Sequence, residues 1–318
     1  MTEFLAMMQE AVDASLAHVL SPSYRTYWGY LGTSLLIAAA LCVGRPERAN
    51  DLRKTLSPET LWGASSRTDM GLFLVNALAK VALLGQFVGF GLDSAESITE
   101  RLEFYIGAPP AYIGLVSAGL CFTLVASIVG DGTYYILHRL MHRVPLLWLF
   151  HSVHHSATHL TPLTQLRLHP LEMLINNVRS VLVFAFAAGV TSYLAGPALN
   201  ATTLLGANAV LTAFYATGAN LRHSHIRFSY GPRLERWLIS PAQHQLHHSA
   251  AVEDHHRNFG SKFAIWDRLG GTLKFGSSTQ KLHFGIGRRQ PKVQGPIREL
   301  LRPFQTKPKT LPDTTQPR

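Results

Sequence analysis

The sequence predicts an all-α, multi-pass membrane helical bundle of about five spanning or hairpin helices, capped on one side by histidine-rich helices. Three observations lead there. Hydrophobic residues make up 47% of the 318-residue chain and charged residues only 15%, against roughly 25% charged in ordinary globular domains. Five apolar stretches approach the roughly 20 residues that a spanning helix needs. Sixteen histidines gather in a few clusters at helical spacing. The charge deficit argues against a disordered chain, a coiled coil or a highly charged soluble module; a soluble protein with a very large core is the competing fold. Cys42 and Cys121, the only cysteines, both lie in apolar runs, which argues against a disulfide scaffold.

The apolar stretches cover residues 24–43, 70–92, 111–130, 175–194 and 198–219. Lys80 is the only charge in the second, the third is expected to continue as helix into Leu137, and Gly196-Pro197 reads as a tight turn between the last two. Loop charges set orientation, because cytoplasmic loops are rich in Lys and Arg. Arg45, Arg48, Arg53, Lys54 and Arg67 follow the first stretch, whereas Asp93, Glu96, Glu100 and Glu103 follow the second. Arg139, Arg143, Arg167 and Arg179 follow the third, and 17 of the 29 Lys and Arg residues lie beyond Asn220. This alternation places the N-terminus outside, with the C-terminus and the histidine clusters in the cytoplasm, as expected for a bacterial inner membrane or the endoplasmic reticulum.

The start, Met1-Thr2-Glu3, lacks a basic n-region, so no cleaved signal peptide is expected. The chain divides into an N-terminal region with two spans (1–110), a histidine-bearing domain (111–290) and a basic, Pro-rich tail (291–318) expected to be disordered and attracted to anionic headgroups.

Three clusters dominate: His138 with His142; His151 with His154 and His155; and His244 with His247 and His248. Residues three or four apart share a helix face, so each cluster is expected to aim its imidazoles at one point, as helices do when they supply ligands in a bundle core. Eight imidazoles exceed the capacity of one ion and suit two ions with four or five nitrogens each; His223 is a candidate ninth ligand. Isolated histidines such as His18 and His283 are read as ordinary packed or surface residues. Asp131, seven residues before His138, either holds a histidine N–H from behind or marks where the third span leaves the apolar zone. His225 and Asn258 are further candidates for such supporting contacts. Tyr134, Tyr135 and Trp148 fit an interfacial aromatic belt. Imidazole suits Fe, Zn, Cu and Ni alike, so spacing does not choose the metal.

The run from Asp131 through His138, His142, Trp148 and His151 to His154-His155-Ser156 resembles the fatty acid hydroxylase/sterol desaturase superfamily. So does Ser240-Pro-Ala-Gln-His244-Gln-Leu-His247-His248, followed by Asn258-Phe-Gly and Trp266-Asp-Arg-Leu-Gly-Gly-Thr. The resemblance covers residues 111–280. It implies an integral-membrane, non-haem di-iron oxygenase that uses O2 to hydroxylate or desaturate a lipid: a sterol-like, fatty acyl or polar-headgroup substrate. The eight clustered histidines match the ligand positions of that superfamily, and His223, in Leu-Arg-His223-Ser-His225, matches a further one. His159, His169, His255 and His256 lie beside the motifs and are open as ligands, supporting residues or solvated groups, while Arg167 and the segment His169-Pro-Leu-Glu172 look characteristic of a subgroup and carry no assigned role.

Each turnover of such an enzyme needs two electrons. The chain shows no nucleotide-binding glycine motif and no cytochrome b5-like segment, so the resemblance implies a separate cytochrome b5-, ferredoxin- or reductase-like donor, which the basic C-terminal region would steer. The basic excess flanks membrane spans without any nucleic-acid-binding motif, which argues against nucleic acid as a partner. Two competing readings use the same histidines: a membrane zinc hydrolase that activates water, and a non-catalytic metal-binding or transport protein.

Overall fold

The computed structural model describes residues 2–84, 87–196, 209–276, 282–286 and 295–305. Among them the regular elements are helices, and pairing between extended segments is limited to isolated bridges such as Leu238 with Phe263. In chain order they are α1 (Thr2–Leu20), α2 (Trp28–Cys42), α3 (Pro46–Thr55), α4 (Pro58–Trp62), α5 (Ala64–Leu84), α6 (Phe87–Ile106) and α7 (Leu115–Arg143). There follow α8 (Pro145–His155), α9 (Pro170–Ala195), α10 (Ala209–Ala216), α11 (Pro241–His247), α12 (Ile265–Leu269) and α13 (Pro296–Gln305).

Two of these, α7 and α9, are long and apolar enough to cross a bilayer, and a third crossing arises if α5 and α6, bent against one another by 57°, act as one broken span. The membrane architecture is therefore two or three such elements among the described residues, fewer than the five apolar stretches suggest. The first stretch forms α2, only 15 residues long, about 22 Å at 1.5 Å per residue and short of a ~30 Å hydrocarbon core. The second straddles the α5–α6 break, and the acidic residues expected in the following loop continue α6 to Ile106. Half of the fifth stretch, with the Pro197 half of the expected turn, lies outside the described residues, and the other half contains α10, eight residues long.

Helix α7 shows why it suits lipid. Val116, Leu120, Leu124 and Ile128 recur every fourth residue and all are exposed, while Ala118 and Phe122 are buried. An apolar stripe facing out and small residues facing in is the membrane arrangement. Inside, Ala95 of α6 packs with Ala187, Ala188 and Ala195 of α9 and with Ala118 and Phe122 of α7. Closeness is limiting there: a Cβ on Gly189 would meet the Ala95 carbonyl oxygen at 2.7 Å. Pro170 suits the first turn of α9, where no N–H partner exists, and His169 caps it by accepting from the Leu171 N–H at 3.1 Å. Gly196, at φ +68°, ends it.

Beyond residue 290 the expected disorder does not hold throughout. Residues 296–305 form α13, packed against α5 and α8. The reason is an inward-facing ion pair that composition does not show: Arg302 donates to both oxygens of Glu299 at 2.6 Å, and both side chains are buried.

Candidate metal centre

The histidines come from four elements. Helix α7 carries His138 and His142 one turn apart, near its C-terminus. Val144 and Pro145 turn the chain, and Pro145 at the first position of α8 restarts a helix that bears His151, His154 and His155. A short 3-10 turn, Ala219–His223, ends on His223. Helix α11 is set by a reciprocal cap, in which the Ser240 hydroxyl accepts from the Gln243 N–H and the Gln243 side chain accepts from the Ser240 N–H. It carries His244 and His247 and ends at His248.

These nine residues form two buried groups. One gathers His138, His142, His151, His155 and His247; the other gathers His154, His223, His244 and His248. Within each group the ligand atoms all lie within 4.8 Å of one another. The sequence clusters do not each serve one point, as helical spacing suggests. His151 and His155 turn to the first group while His154 turns to the second, and α11 is divided in the same way. The cause is angular: positions i and i+4 nearly eclipse, whereas i+3 is rotated well aside. Helices α8 and α11 therefore run between the two groups and belong to both. Contact follows, with the His155 and His248 rings stacked 4.7 Å apart across the boundary.

The donor chemistry fits cations. Both nitrogens of His142, Nε2 of His155 and His247, and Nδ1 of His244 are buried without a hydrogen-bond partner. Facing pairs of Nε2 atoms lie 3.1 Å apart in His138–His151 and His223–His248, and 3.2 Å apart in His223–His244. Two such nitrogens share at most one proton, and an unmet buried lone pair costs free energy. A metal ion satisfies several at once. Burial, reinforced by His151, pushes His154 down to about 4, and burial alone pushes His151 to about 3. His155, His244, His247 and His248 fall well below their ordinary value for the same reason, with neighbouring imidazoles adding to it. All are thus neutral near pH 7, the form that binds metals.

The outward nitrogens are anchored. Nδ1 of His138 donates to the Phe259 carbonyl and Nδ1 of His247 to the Arg257 carbonyl, each at 2.8 Å. Nδ1 of His151 meets Glu172 Oε1 at 2.8 Å. Each bond fixes a tautomer and turns Nε2 inward. His223 differs: Arg25 donates to its Nδ1 at 2.8 Å, while Asn220 donates to the Arg25 carbonyl at 2.9 Å. Burial and the nearby Arg222 lower Arg25 to about 9.

None of the three proposed supporting residues, Asp131, His225 and Asn258, bonds to a histidine of either group. Asp131 accepts from the N–H groups of Lys262 and Phe263, both at 2.8 Å. Asp267 clamps the same loop through the Phe259 and Gly260 N–H groups. Together these carboxylates hold the loop whose Phe259 carbonyl orients His138, so Asp131 acts at one remove. Asn258, at φ +55°, donates to the Gln243 carbonyl and accepts from the Lys274 N–H. His225 sits apart, 5.8 Å from the His159 ring, with its N–H on Thr55. Trp148 is buried against His142 and His155 rather than lying in an aromatic belt.

Glu172, Arg25 and Arg167 were not legible as site residues. Arg167 is fully buried and donates to the Val153 carbonyl, Ser156 Oγ, the Ser65 carbonyl and Asp69 Oδ1. It ties the last turn of α8 to α5. The nearest sequence signal is His169-Pro-Leu-Glu172, where a helix start places an acidic residue within reach of α8. Arg25 carries no such signal, because it comes from nearly 200 residues away.

Residues 123–272 match the fatty acid hydroxylase family. The chain is 30% identical over 181 residues to an ornithine lipid hydroxylase of Rhizobium tropici, covering 57% of this chain and 49% of that protein. It is 28% identical over 170 residues to a fatty acid hydroxylase of a Lecanicillium species, covering 51% and 44%. To the human alkylglycerol monooxygenase it is 26% identical over 156 residues, covering 49% and 31%. The chain thus spans less than half the length of each of these relatives. No solved structure matches. The matched segment holds the histidine-bearing region, and there the chain is similar to the fatty acid hydroxylase family.

Proposed function

We propose that this protein is an integral-membrane, di-iron, O2-dependent lipid hydroxylase. The observation that carries the reading is the pair of adjacent all-imidazole groups, five and four histidines, buried at one end of the spanning helices. His138, His142, His151, His155 and His247 would hold one ion, and His154, His223, His244 and His248 the other. Iron bound there would supply the activation of O2 and the transfer of one of its atoms to an unactivated C–H bond. The overall balance is R–H, O2, two electrons and two protons to R–OH and water, with the electrons coming from a separate donor protein. Among the described residues no carboxylate belongs to either group, and Glu172 is engaged with His151, which disfavours a zinc hydrolase needing a carboxylate base.

The protein's own part is positioning and exclusion of water. Phe259 packs its ring against His138, His142 and His247, and Trp148 covers His142 and His155. Between α7 and α9 lies an apolar groove of about 440 Å³, lined by residues including Val129, Leu137, Leu140, Leu182 and Phe186. It suits an acyl chain entering from the bilayer, and Leu137 adjoins His138. The histidine end is assigned to the cytoplasmic side on loop charge.

The test is purification from membranes, metal analysis and O2 uptake with total membrane lipid. About two irons per chain, lipid-dependent O2 consumption and a lipid heavier by one oxygen are expected. Zinc in place of iron, with hydrolysis products and no O2 uptake, overturns the proposal.

A further inference from the structure

Helix α13 is built inside out for a protein in water. An amphipathic helix on a soluble core turns its apolar face inward. Here the inward face carries Glu299, Arg302 and Pro303, all buried, while Ile297, Leu301 and Phe304 are 72, 46 and 73% exposed. Those three recur at i, i+4 and i+7 and form one stripe. The orientation is fixed. Arg302 binds Glu299 through two bonds, Ser156 Oγ donates to Glu299 Oε2 at 3.0 Å, and Arg167 approaches the same carboxylate at 3.8 Å. At the N-terminus, Pro296 fits against Gly71, where a Cβ would meet the proline ring at 2.6 Å.

Position relative to the bilayer follows from one bond. His169 accepts from the Leu171 N–H through Nδ1, so Nε2 bears the proton and donates to the Leu300 carbonyl at 3.3 Å. His169 is the cap of α9, one of the two spanning candidates. Helix α13 is therefore hydrogen-bonded to the residue where a spanning helix begins, at the depth of the interface. Charge agrees. Between residues 286 and 310 the only acidic side chain is Glu299, already paired inside, whereas Arg288, Arg289, Lys292, Arg298, Lys307 and Lys309 are basic. Basic groups beside an apolar stripe are the composition of helices that lie in an anionic leaflet.

We propose that α13 is an interfacial helix whose Ile297–Leu301–Phe304 stripe inserts into the anionic leaflet around the histidine end of the bundle. Its buried Glu299 joins that surface to the end of α8, one residue beyond His155.

The test uses the full-length protein in nanodiscs, with Cys42 and Cys121 replaced by Ser and a single spin label at Leu301→Cys, compared with one at Arg298→Cys. In discs of phosphatidylcholine with phosphatidylglycerol, the label at 301 is expected to collide several-fold more with O2 than with a water-soluble nickel chelate, and the order to reverse at 298. Removing phosphatidylglycerol is expected to lower the ratio at 301. Equal chelate access at both positions overturns the proposal, and an unchanged ratio without anionic lipid overturns its charge component. Dipolar broadening at 301 assigns the stripe to a second copy of the chain and likewise overturns it. The measurement needs neither turnover nor iron, so it is independent of the catalytic reading.

Discussion

Glu172 Oε1 lies 2.8 Å from His151 Nδ1, and both side chains are buried. This contact joins the first turn of α9, long and apolar enough to cross a bilayer, to the middle of α8, so that helix also orients an imidazole of the five-histidine group.

A carboxylate behind a metal-binding imidazole typically contributes 10–100-fold to affinity. Glu172→Ala is expected to weaken metal binding by about that factor. Glu172→Gln, which keeps an acceptor without the charge, should fall between Ala and the parent protein. Metal titration of the purified protein in detergent checks both.

The split of α8 and α11 between two groups gives a stoichiometric expectation. His142→Ala removes a nitrogen from the first group alone and His244→Ala from the second alone. Each variant should lose about one of two bound ions and keep membrane insertion. His154→Ala and His247→Ala, one from each group, should both abolish activity. Metal analysis by mass spectrometry decides: complete loss of both ions in every variant would contradict two separable groups.

Arg167 stands between two carboxylates with its own side chain fully buried. Removing one partner of a buried network leaves the others uncompensated, which costs about 3–5 kcal/mol. Arg167→Met is expected to lower the unfolding midpoint sharply. Adding Asp69→Asn should recover part of the loss, because it removes a stranded charge. Thermal unfolding of single and double variants provides the comparison.

His18 packs 4.1 Å from the Tyr24 ring and 5.2 Å from that of Phe73. Burial, with Lys80 nearby, lowers it from 6.5 to about 4. Below pH 6.5 the unfolded chain takes up a proton that the folded one refuses, so stability falls as pH drops from 6.5 towards 4 and is unaffected above that window. His18→Phe should flatten this acid limb with little change at neutral pH, as read by unfolding at a series of pH values.

Sequence alone determined the all-helical class and picked out the eight histidines of the three clusters, with His223 as a candidate ninth, because helical periodicity and residue chemistry are local properties. Spacing of three and four residues is enough to mark His138 with His142, or His244 with His248. Local pattern also determined α7 and α9, whose apolar runs are long and uninterrupted. Elsewhere hydropathy does not show that α2 is only 15 residues long or that α5 and α6 are bent against one another by 57°. Only the tertiary structure decided how the histidines are shared. The turn of α8 sets His154 aside from His151 and His155, but which group each side faces depends on what packs on either side of the helix. The same holds for the supporting contacts. Glu172, Arg25 and Asp131 reach their partners across 21, 198 and 131 residues, and no local rule links a charged side chain to a partner that distant. Helix α13 makes the case most plainly, because its charged face turns inward only where Arg167 and Ser156 wait for Glu299.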